Sequence, residues 1–320
     1  MLLLKIQLKE NLLNKQLFIV NPLAGRGAAG KAIPEIKDKL QSLNIQYDLV
    51  QTEYPGHGIE LAAEAVSKGY ASVVAVGGDG TSNEVTNGLM QAGSQGSIKT
   101  RFGVLPIGRG NGFSYGMGIP QDLETAYQNL VDGHTRWIDI GLVKGGDYPD
   151  GRYFGNGIGI GFDTVVGFES LKLPSFIHGT PAYLIAALKT IFLYFDAPLL
   201  RINIDGEILE QPCLLVSVMN GSRMGGSFVF APDSESDDGL LNLCIVHQVT
   251  RLQVLGLMPK VMSGTQSEHE AVRMPVGKNI QIEAISGTLP VHADGETICE
   301  AGKKLEVTIL PRQLEMICSE

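Results

Sequence analysis

The segment SVVAVGGDGTSNEV, residues 72–85, joins an apolar run to a helical pattern through a glycine-rich loop. The run predicts a buried strand over residues 72–78, and residues 81–92 predict the helix that follows it. Three glycines among residues 77–80 would let the backbone approach a phosphate chain closely. Asp79 stands among them at the carboxyl end of the strand, where α/β sheets bind ligands. Because a carboxylate repels phosphates unless a cation lies between them or it acts as a base, Asp79 is interpreted as a metal anchor, a base or a structural turn residue.

The same alternation of apolar strand and amphipathic helix extends to both sides of this segment. The other predicted strands are QLFIVNP (16–22), YDLVQT (47–52) and FGVLPIG (102–108). The other predicted helices cover residues 28–43, 57–69 and 123–131. Short apolar strands that alternate with helices are typical of a parallel sheet with helices on both faces. The first part of the chain is therefore predicted to be an α/β domain.

The pattern changes after about Arg136, where strand-like runs follow one another with few helices between them. These runs are WIDIGLV, YFGNGIGIGF, PLLRINID, CLLVSVMNG, GLLNLCIVHQV, NIQIEAI, LPVHADGE and KLEVTILP. Only residues 181–195 and 254–262 suggest helices. This half is predicted to be mainly antiparallel β, as a sandwich or an open barrel. The predicted domains are residues 1–135 and 136–320, with the option that the last few residues pack back on the first domain.

Charge and cysteine content narrow the class of protein. The 320 residues carry 25 Lys and Arg against 34 Asp and Glu, a net charge of −9, and contain no basic block of five or more. Proteins dedicated to nucleic acids present such basic surfaces, so no nucleic-acid partner is expected. The four cysteines have no C-x-x-C spacing, which favours a reduced cytoplasmic chain with neither disulfides nor a zinc site.

Two apolar segments bear on a membrane location. The N-terminal run before Lys5 is too short for the core of a signal peptide. The longest apolar stretch, YLIAALKTIFLYF at residues 183–195, is shorter than the ~20 residues that a membrane span needs and contains Lys189. It is therefore predicted to be a buried or groove-lining helix, and contact with a membrane surface stays open.

A second glycine-rich loop, GRGAAGKA at residues 25–32, lies between the first strand and the first helix. As G-x-G-x-x-G it matches a dinucleotide fingerprint, and as G-x-x-x-x-G-K-[ST] it nearly matches a Walker A loop. Residues 21–24 intervene before Gly25, unlike in the Rossmann turn, and Ala32 lacks the hydroxyl that Walker A needs. Both patterns and a plain glycine-rich turn stay open. In either of the first two, backbone N–H groups at a helix N-terminus face an anion.

A third loop, PIGRGNG at residues 106–112, also follows a strand directly. Loops that follow consecutive strands of a parallel sheet lie at the same edge of that sheet. The three loops together therefore predict one phosphate-binding rim.

Six motifs, taken together, resemble the catalytic family of the diacylglycerol kinases, which includes bacterial lipid kinases, sphingosine kinases and ceramide kinases. In chain order they are NPLAGRG (21–27), Thr52 with PGH (55–57), GGDGTSNEV (77–85), PIGRGNGF (106–113), the PD…DDGLL segment (232–241) and DGE (294–296). The resemblance covers nearly the whole chain. GGDGT alone is shared with NAD kinases and phosphofructokinases, whereas the order of all six motifs is not.

The resemblance implies an NAD kinase-like α/β N-terminal domain, with a parallel sheet and helices on both faces, and a mainly antiparallel, sandwich-like β C-terminal domain. It also implies ATP and Mg²⁺ as cofactors, with transfer of the γ-phosphate to the hydroxyl of a diacylglycerol or sphingoid-like lipid. The residues in family positions that would contact the nucleotide are Asn21, Pro22, Gly25, Thr52, Gly77, Gly78, Asp79, Gly80, Thr81, Ser82, Asn83, Glu84, Gly108, Arg109 and Asn111.

The same resemblance assigns the chemistry. Glu296 would be the general base that takes the proton of the lipid hydroxyl, while Asp79 is a rival for that role or the anchor of Mg²⁺. An acidic turn would hold a metal through Glu235, Asp238 and the Leu240 carbonyl, since hard oxygen ligands suit Mg²⁺. From the residues alone, DGE is equally a hairpin turn, and SESDDG is equally a solvated acidic loop.

The chain departs from the family pattern G-T-x-N-D-F-A-R in the third loop, where Arg109 replaces the Thr and Gly112 replaces the Asp. A hydroxyl is lost and a guanidinium is gained, which either pairs with phosphate oxygens or turns to solvent. Sphingosine kinases also lack that Asp, so the choice between diacylglycerol and a sphingoid-like lipid stays open.

Two alternatives remain: NAD kinase-like phosphorylation of a soluble nucleotide, and a degenerate, non-catalytic nucleotide-binding module. The expected partner is a lipid substrate at a membrane surface, met by a cytoplasmic protein that could be peripheral at the inner face, and a homodimer is an option. The candidates for a lipid channel, or else for core packing, are Phe176, Ile177, Tyr183, Leu184, Leu188, Phe192 and Phe228.

Overall fold

The computed structural model describes residues 15–93, 98–174, 177, 180–193, 195–225 and 228–319. The N-terminal run before Lys5 and the channel candidate Phe176 lie outside the described residues. The chain divides into two compact units. Unit 1 comprises the described parts of Met1–Ser114, Gly118–Ile138 and Arg312–Glu320, and unit 2 comprises those of Tyr115–Met117 and Asp139–Pro311.

A parallel sheet forms the centre of unit 1. In the spatial order of the sheet, its strands are β4 (Arg101–Pro106), β3 (Ser72–Gly77), β1 (Gln16–Val20) and β2 (Tyr47–Gln51). They carry runs of apolar and often β-branched side chains, the composition of strands that are buried on both faces. The end of the last strand, β16 (Lys304–Ile317), adds a parallel strand beside β4, with Met316 opposite Phe102.

Helices cover both faces of this sheet. The helices of this part of the chain are α1 (Ala24–Ser42), α2 (His57–Lys68), α3 (Asp79–Gly93), α4 (Gly112–Gly116) and α5 (Leu123–Asp132). Phe18 and Val74 pack against Leu40 of α1 and Leu130 of α5. Along each strand, the residues adjacent to Phe18 and to Val74 point to the opposite face of the sheet. On that face α2 contacts β1 and α3 contacts β3. The predicted parallel α/β domain is confirmed.

Unit 2 is built of antiparallel strands, with β5 and β16 having residues in both units. The strands are β5 (Thr135–Gly145), β6 (Tyr148–Phe154), β7 (Gly157–Gly161), β8 (Leu199–Ile204), β9 (Glu207–Met219), β10 (Leu241–His247), β11 (Val272–Arg273), β12 (Val276–Gly277), β13 (Asn279–Ala284), β14 (Leu289–Ala293), β15 (Glu296–Gly302) and the first part of β16. β9 pairs with β7, β8 and β10, and β14 pairs with β7 and β15. Phe154, Val216 and Ile282 belong to one apolar core between them. The predicted antiparallel β domain is confirmed.

Helices accompany these strands. They are α6 (Phe162–Leu171), α7 (Thr180–Leu193), α8 (Arg251–Ser263) and the short 3-10 helix Gln266–Glu268. α8 starts at a capping box, in which the side chains of Thr250 and Gln253 accept each other's backbone N–H. The sequence did not predict α6, because Val165, Val166 and Gly167 are weak helix formers, and packing against α7 stabilises it. Within the described ranges, no helix is both long and apolar enough to cross a bilayer.

A buried carboxylate of α6 holds two lysines. Glu169 is almost fully buried, and its oxygens accept hydrogen bonds from Lys172 and from Lys189 of α7. These bonds, first from Lys172 and then from Lys189, hold the pKa of Glu169 below its ordinary value. A carboxylate with a lowered pKa stabilises the fold at pH values above the pKa of the unfolded chain. That contribution is lost as the pH falls through the folded pKa.

We therefore expect Glu169→Gln to lower the Tm at pH 7 by about 2–4 °C, for a loss of ~1 kcal/mol with lysines that are partly exposed. The difference in Tm between wild type and variant should close as the pH falls through the lowered pKa of Glu169, because the wild-type side chain then becomes protonated. Thermal unfolding of both proteins across this pH range measures the gap. A gap of the same size at every pH would contradict the ion-pair explanation.

Candidate functional site

The glycine-rich loops after β1, β3 and β4 meet at the carboxyl edge of the unit 1 sheet. A Cβ added to Gly108 would stand 2.4 Å from the Cα of Gly78. A Cβ added to Gly25 would stand 3.0 Å from the Ile107 carbonyl oxygen. Only glycine permits such close approach of one backbone to another. The structure thus brings the three loops together, while their binding of phosphate stays a prediction.

The loop after β1 has an unusual backbone at the start of α1. Residues 25–27 all have positive φ angles, of 58°, 60° and 86°, so the regular helix begins only beyond them. The Asn21 carboxamide oxygen accepts a hydrogen bond from the Leu23 N–H at 3.0 Å and closes the turn. Pro22 packs on Gly30, where an added Cβ would stand 2.8 Å from the Pro22 carbonyl oxygen. The predicted contacts Asn21, Pro22 and Gly25 therefore share one tightly folded loop.

Asp79 begins α3 and faces the third loop. Its Oδ1 accepts a hydrogen bond from the Phe113 N–H at 2.8 Å, near the start of α4. Its Oδ2 would lie 3.3 Å from a Cβ added to Gly110. The carboxylate therefore ties the loop after β3 to the loop after β4 and lies at the point where the loops meet.

Two buried polar atoms at this edge have no hydrogen-bond partner among the described residues, Thr81 Oγ1 and Asn111 Oδ1. Asn111 has a positive φ of 49°, and its Nδ2 donates to the Pro106 carbonyl oxygen at 3.2 Å. A buried polar atom without a partner costs free energy. A nucleotide offers phosphate oxygens to a hydroxyl and ribose hydroxyls to a carbonyl oxygen, so these residues fit a nucleotide.

The side chains that follow in α3 are less accessible. Gly80, Ser82 and Asn83 lie in its first turns, and both Ser82 and Asn83 are buried. The Asn83 Oδ1 accepts a hydrogen bond from Asn87 Nδ2 at 3.2 Å. The first turn of α3 therefore offers a ligand its backbone N–H groups more than these side chains.

Thr52 begins the neighbouring loop after β2, and Glu84 of α3 reaches this loop with its side chain. Both carboxylate oxygens of Glu84 accept backbone hydrogen bonds, from Gly56 at 2.7 Å and from Gly58 at 2.8 Å. The Thr52 N–H donates to the Val20 carbonyl oxygen at 2.9 Å. Glu84 thus fixes the start of α2, and its predicted contact with a nucleotide has no support from these bonds.

In unit 2, Glu296 follows a two-residue hairpin turn. Asp294 and Gly295 have φ angles of 48° and 85°, as a type I′ turn requires, and Ala293 pairs with Glu296. The buried Asp294 carboxylate accepts the three backbone N–H groups of residues 155–157 at 2.8, 3.0 and 3.0 Å. Asp294 is therefore an anchor of the turn, and it fixes the backbone from which the half-buried Glu296 extends.

Asp139 fixes the acidic turn that the sequence proposed as a metal site. Its buried Oδ2 accepts the Gly239 N–H at 2.6 Å. Glu235 and Asp238 are exposed, and one Asp238 oxygen accepts the Leu240 N–H at 2.8 Å. The described part of the chain contains no group of three or more His, Cys, Asp or Glu side chains that could hold a metal ion. A metal at this turn would need carbonyl or water oxygens in addition to the two carboxylates.

A buried network joins the acidic turn to the Glu296 hairpin within unit 2. The Asn220 Nδ2 donates to the carbonyl oxygens of Asp139 at 2.9 Å and Gly155 at 2.7 Å. The Asn220 N–H donates to the Asn156 carbonyl oxygen, and the Asn156 N–H donates to Asp294. The sequence reasoning missed Asp139, Asn156 and Asn220. The available signals were an aspartate inside the apolar run WIDIG and two Asn-Gly pairs beside apolar runs.

A mostly apolar cavity of about 180 Å³ lies inside unit 2. Residues of α6, α7, α8 and the adjoining strands line it. Two of the channel candidates, Tyr183 and Phe228, are among these residues. The other described candidates are not among them: Ile177, Leu184, Leu188 and Phe192.

The cavity has a polar part at Asp163 and His292. The His292 Nε2 lies 3.7 Å from an Asp163 oxygen, beyond hydrogen-bond distance. Both Asp163 oxygens are buried and have no hydrogen-bond partner among the described residues. Gly295 and Thr297, the chain neighbours of Glu296, also line the cavity. The cavity thus combines apolar walls, unpartnered acceptors and the two neighbours of the predicted base.

Comparisons with known proteins match both parts of the chain. Residues 15–143 match the family described as diacylglycerol kinase catalytic domain, and residues 154–318 match the YegS C-terminal NAD kinase beta sandwich-like domain. Diacylglycerol kinases of Staphylococcus saprophyticus and Staphylococcus carnosus are each 28% identical to this chain, with 87% of both sequences covered. The crystal structure of a candidate diacylglycerol kinase from Bacillus anthracis has a TM-score of 0.78 at 26% identity, with 96% of this chain and 95% of that chain covered.

Proposed function

Because the chain belongs to the diacylglycerol kinase family, we propose that it is a lipid kinase that uses ATP and Mg²⁺ to phosphorylate a lipid hydroxyl. The observation that carries the proposal is the apolar cavity of unit 2, whose lining includes both neighbours of Glu296. Apolar walls favour an acyl chain and disfavour a charged, soluble nucleotide as the acceptor. The lipid acceptor is therefore preferred over NAD kinase-like phosphorylation.

In this proposal the glycine-rich loops of unit 1 bind ATP. Phosphoryl transfer depends mainly on positioning and on neutralisation of charge. Backbone N–H groups at the start of α3 orient the phosphates, and Thr81 Oγ1 and Asn111 Oδ1 gain hydrogen-bond partners. Asp79 is the carboxylate at these loops that would hold Mg²⁺.

Glu296 removes the proton from the acceptor hydroxyl while the hydroxyl oxygen forms its bond to the γ-phosphorus and the bond to the ADP leaving group breaks. Asp294 keeps Glu296 in position through its three backbone hydrogen bonds. Asp163, with two unpartnered oxygens, accepts a hydrogen bond from a further hydroxyl or an ammonium group of the lipid head.

The chemistry of two groups of residues fits Mg²⁺, which prefers oxygen ligands and keeps several waters. The first is Asp79, and the second is the acidic turn with Glu235, Asp238 and the Leu240 carbonyl. Exposed carboxylates on a turn held by Asp139 leave room for those waters. When bound beside the nucleotide, the ion neutralises phosphate charge.

The decisive experiment incubates the full chain with γ-labelled ATP, Mg²⁺ and one acceptor at a time. The acceptors are dioctanoylglycerol, sphingosine and NAD. We expect label in one of the two lipids, and the labelled lipid identifies the acceptor class. Label in NAD would support the soluble-nucleotide alternative. No labelled product from any acceptor or from extracted lipids would support the non-catalytic alternative.

Arg109 supplies a further test, because it is exposed and has no hydrogen bond or ion pair with any residue that the structure describes. If its guanidinium replaces the family hydroxyl, Arg109→Ala should weaken ATP binding by roughly one to two decades, since such bonds contribute ~1.5–3 kcal/mol. Arg109→Thr should recover part of the loss. Calorimetric titration of ATP at low and high salt measures the affinities. The difference in ATP affinity between wild type and Arg109→Ala should become smaller as the salt concentration rises.

The matched control is Arg101→Ala, which removes an exposed arginine at the opposite end of β4. It should leave ATP affinity unchanged. If Arg109→Ala and Arg109→Thr both bound ATP with an affinity within twofold of the wild type, Arg109 would face solvent without a role in ATP binding.

A further inference from the structure

Helix α7 presents an apolar stripe to solvent. Ile185, Leu188 and Phe192 follow one another at spacings of three and four residues, so they share one face of the helix. Their exposed fractions are 41%, 43% and 64%. The opposite face carries Tyr183 and Ala187, which line the cavity. α7 therefore has apolar side chains on two faces, of which one lies against the cavity and the other against water.

The first turn of α8 lies beside the C-terminal part of α7. The Arg251 Nε donates to the Ile191 carbonyl oxygen of α7 at 2.8 Å, and its guanidinium lies 5.2 Å from the centre of the Phe195 ring. The next residue, Leu252, is 79% exposed. We name the set the α7–α8 apolar face, and it consists of Ile185, Leu188, Phe192 and Leu252.

Cations flank the α7–α8 apolar face. Lys189 on α7 and Lys172 after α6 have side chains that are 42% and 65% exposed, and both bond to the buried Glu169. Arg251 adds a third positive charge at the start of α8. Three cations thus accompany one buried carboxylate, although the whole chain carries a net charge of −9. This local positive charge is complementary to an anionic surface.

We propose that the α7–α8 apolar face docks the protein on a bilayer that contains anionic lipids. Exposed apolar side chains flanked by cations are typical of interfacial helices, which bury the apolar side chains among acyl chains while lysine and arginine reach the phosphates. Docking through α7 would bring a wall of the acceptor cavity to the membrane from which a lipid must enter. That consequence rests on the proposed lipid kinase function, whereas docking itself requires no turnover.

The test is sedimentation of the full chain with vesicles of phosphatidylcholine alone or with about a third of phosphatidylglycerol. We expect stronger binding to the anionic vesicles, and a decrease as salt rises. The double variant Leu188→Gln/Phe192→Gln should lower the partition coefficient roughly tenfold or more. Ile208→Gln is the matched control, because it changes an apolar side chain on β9 that is 67% exposed, and it should leave binding unchanged.

Equal vesicle binding by the wild type and by a folded double variant would overturn the proposal. Leu252→Gln at the start of α8 is the second variant, should the double variant fail to fold. A dimer that the substitutions abolish, without vesicle binding by the wild type, would overturn it in favour of a second copy of the chain. Transfer to dissolved dioctanoylglycerol separates the two hypotheses, because loss of docking leaves this transfer intact and loss of kinase function leaves vesicle binding intact.

Discussion

Replacement of Glu296 by glutamine is expected to lower the rate of phosphoryl transfer by about 10²–10⁴-fold while ATP affinity stays the same. Glutamine keeps the shape of the side chain but cannot accept the proton of the acceptor hydroxyl. The turn before residue 296 should survive the change, because the Asp294 carboxylate makes the anchoring bonds. Single-turnover transfer to a lipid acceptor and calorimetric titration of ATP measure the two quantities.

Glu300→Gln is the matched control for this variant. Glu300 lies on the same strand, β15, and is exposed, so the same chemical change there should leave both quantities within twofold. A tenfold loss of ATP affinity with normal transfer would instead identify Glu296 as a binding residue.

Asp79→Asn is expected to reduce transfer to less than about a tenth of the wild-type rate at saturating Mg²⁺ without unfolding the protein. The asparagine oxygen can still accept the Phe113 N–H, so the tie between the loops after β3 and β4 is kept. Only the negative charge is lost, and a metal anchor depends on that charge. Initial rates over a range of Mg²⁺ concentrations, with Tm as the measure of folding, test this expectation.

A matched control exists at another helix start. Asp122 caps α5 by accepting the Thr125 N–H at 2.8 Å, and Asp122→Asn makes the same change outside the glycine-rich loops. Since asparagine caps helices about as well as aspartate, transfer should be unaffected. If Asp79→Asn retained more than a tenth of the activity, Asp79 would have no role as a metal anchor.

The four parallel strands of unit 1 and helices α1, α2, α3 and α5 were predictable because each has a local signal, whereas the five-residue helix α4 was not predicted. The run SVVAVGG is apolar and ends in glycines, and the strand predicted over residues 72–78 spans Ser72–Gly77. Helix α6 was not predictable in this way. Its Val165, Val166 and Gly167 favour helix weakly, and contacts with α7, which no local pattern reveals, stabilise the helix.

The candidate site also combines features that the sequence reveals with features that it does not reveal. Glycine marks a phosphate-type loop within a few residues, so the three loops could be found from the sequence. The roles of Asn156 and Asn220 could not, because they depend on hydrogen bonds between segments that are distant in the chain. The motif position of Glu84 suggested a nucleotide contact, but the sequence cannot show that its two oxygens accept the N–H groups of Gly56 and Gly58.

The buried network around Asn220 has a thermodynamic consequence. The network joins the backbone of the acidic turn to the hairpin of Glu296. When one of these elements is held in a single conformation, the free-energy cost of holding the other is therefore lower. Substitutions at Asp139 and Asp294, which hold the two ends of the network, should then have non-additive effects on stability. By reciprocity, a cation that ordered the acidic turn would also restrain the hairpin, and a ligand that restrained the hairpin would raise the affinity of the turn for that cation.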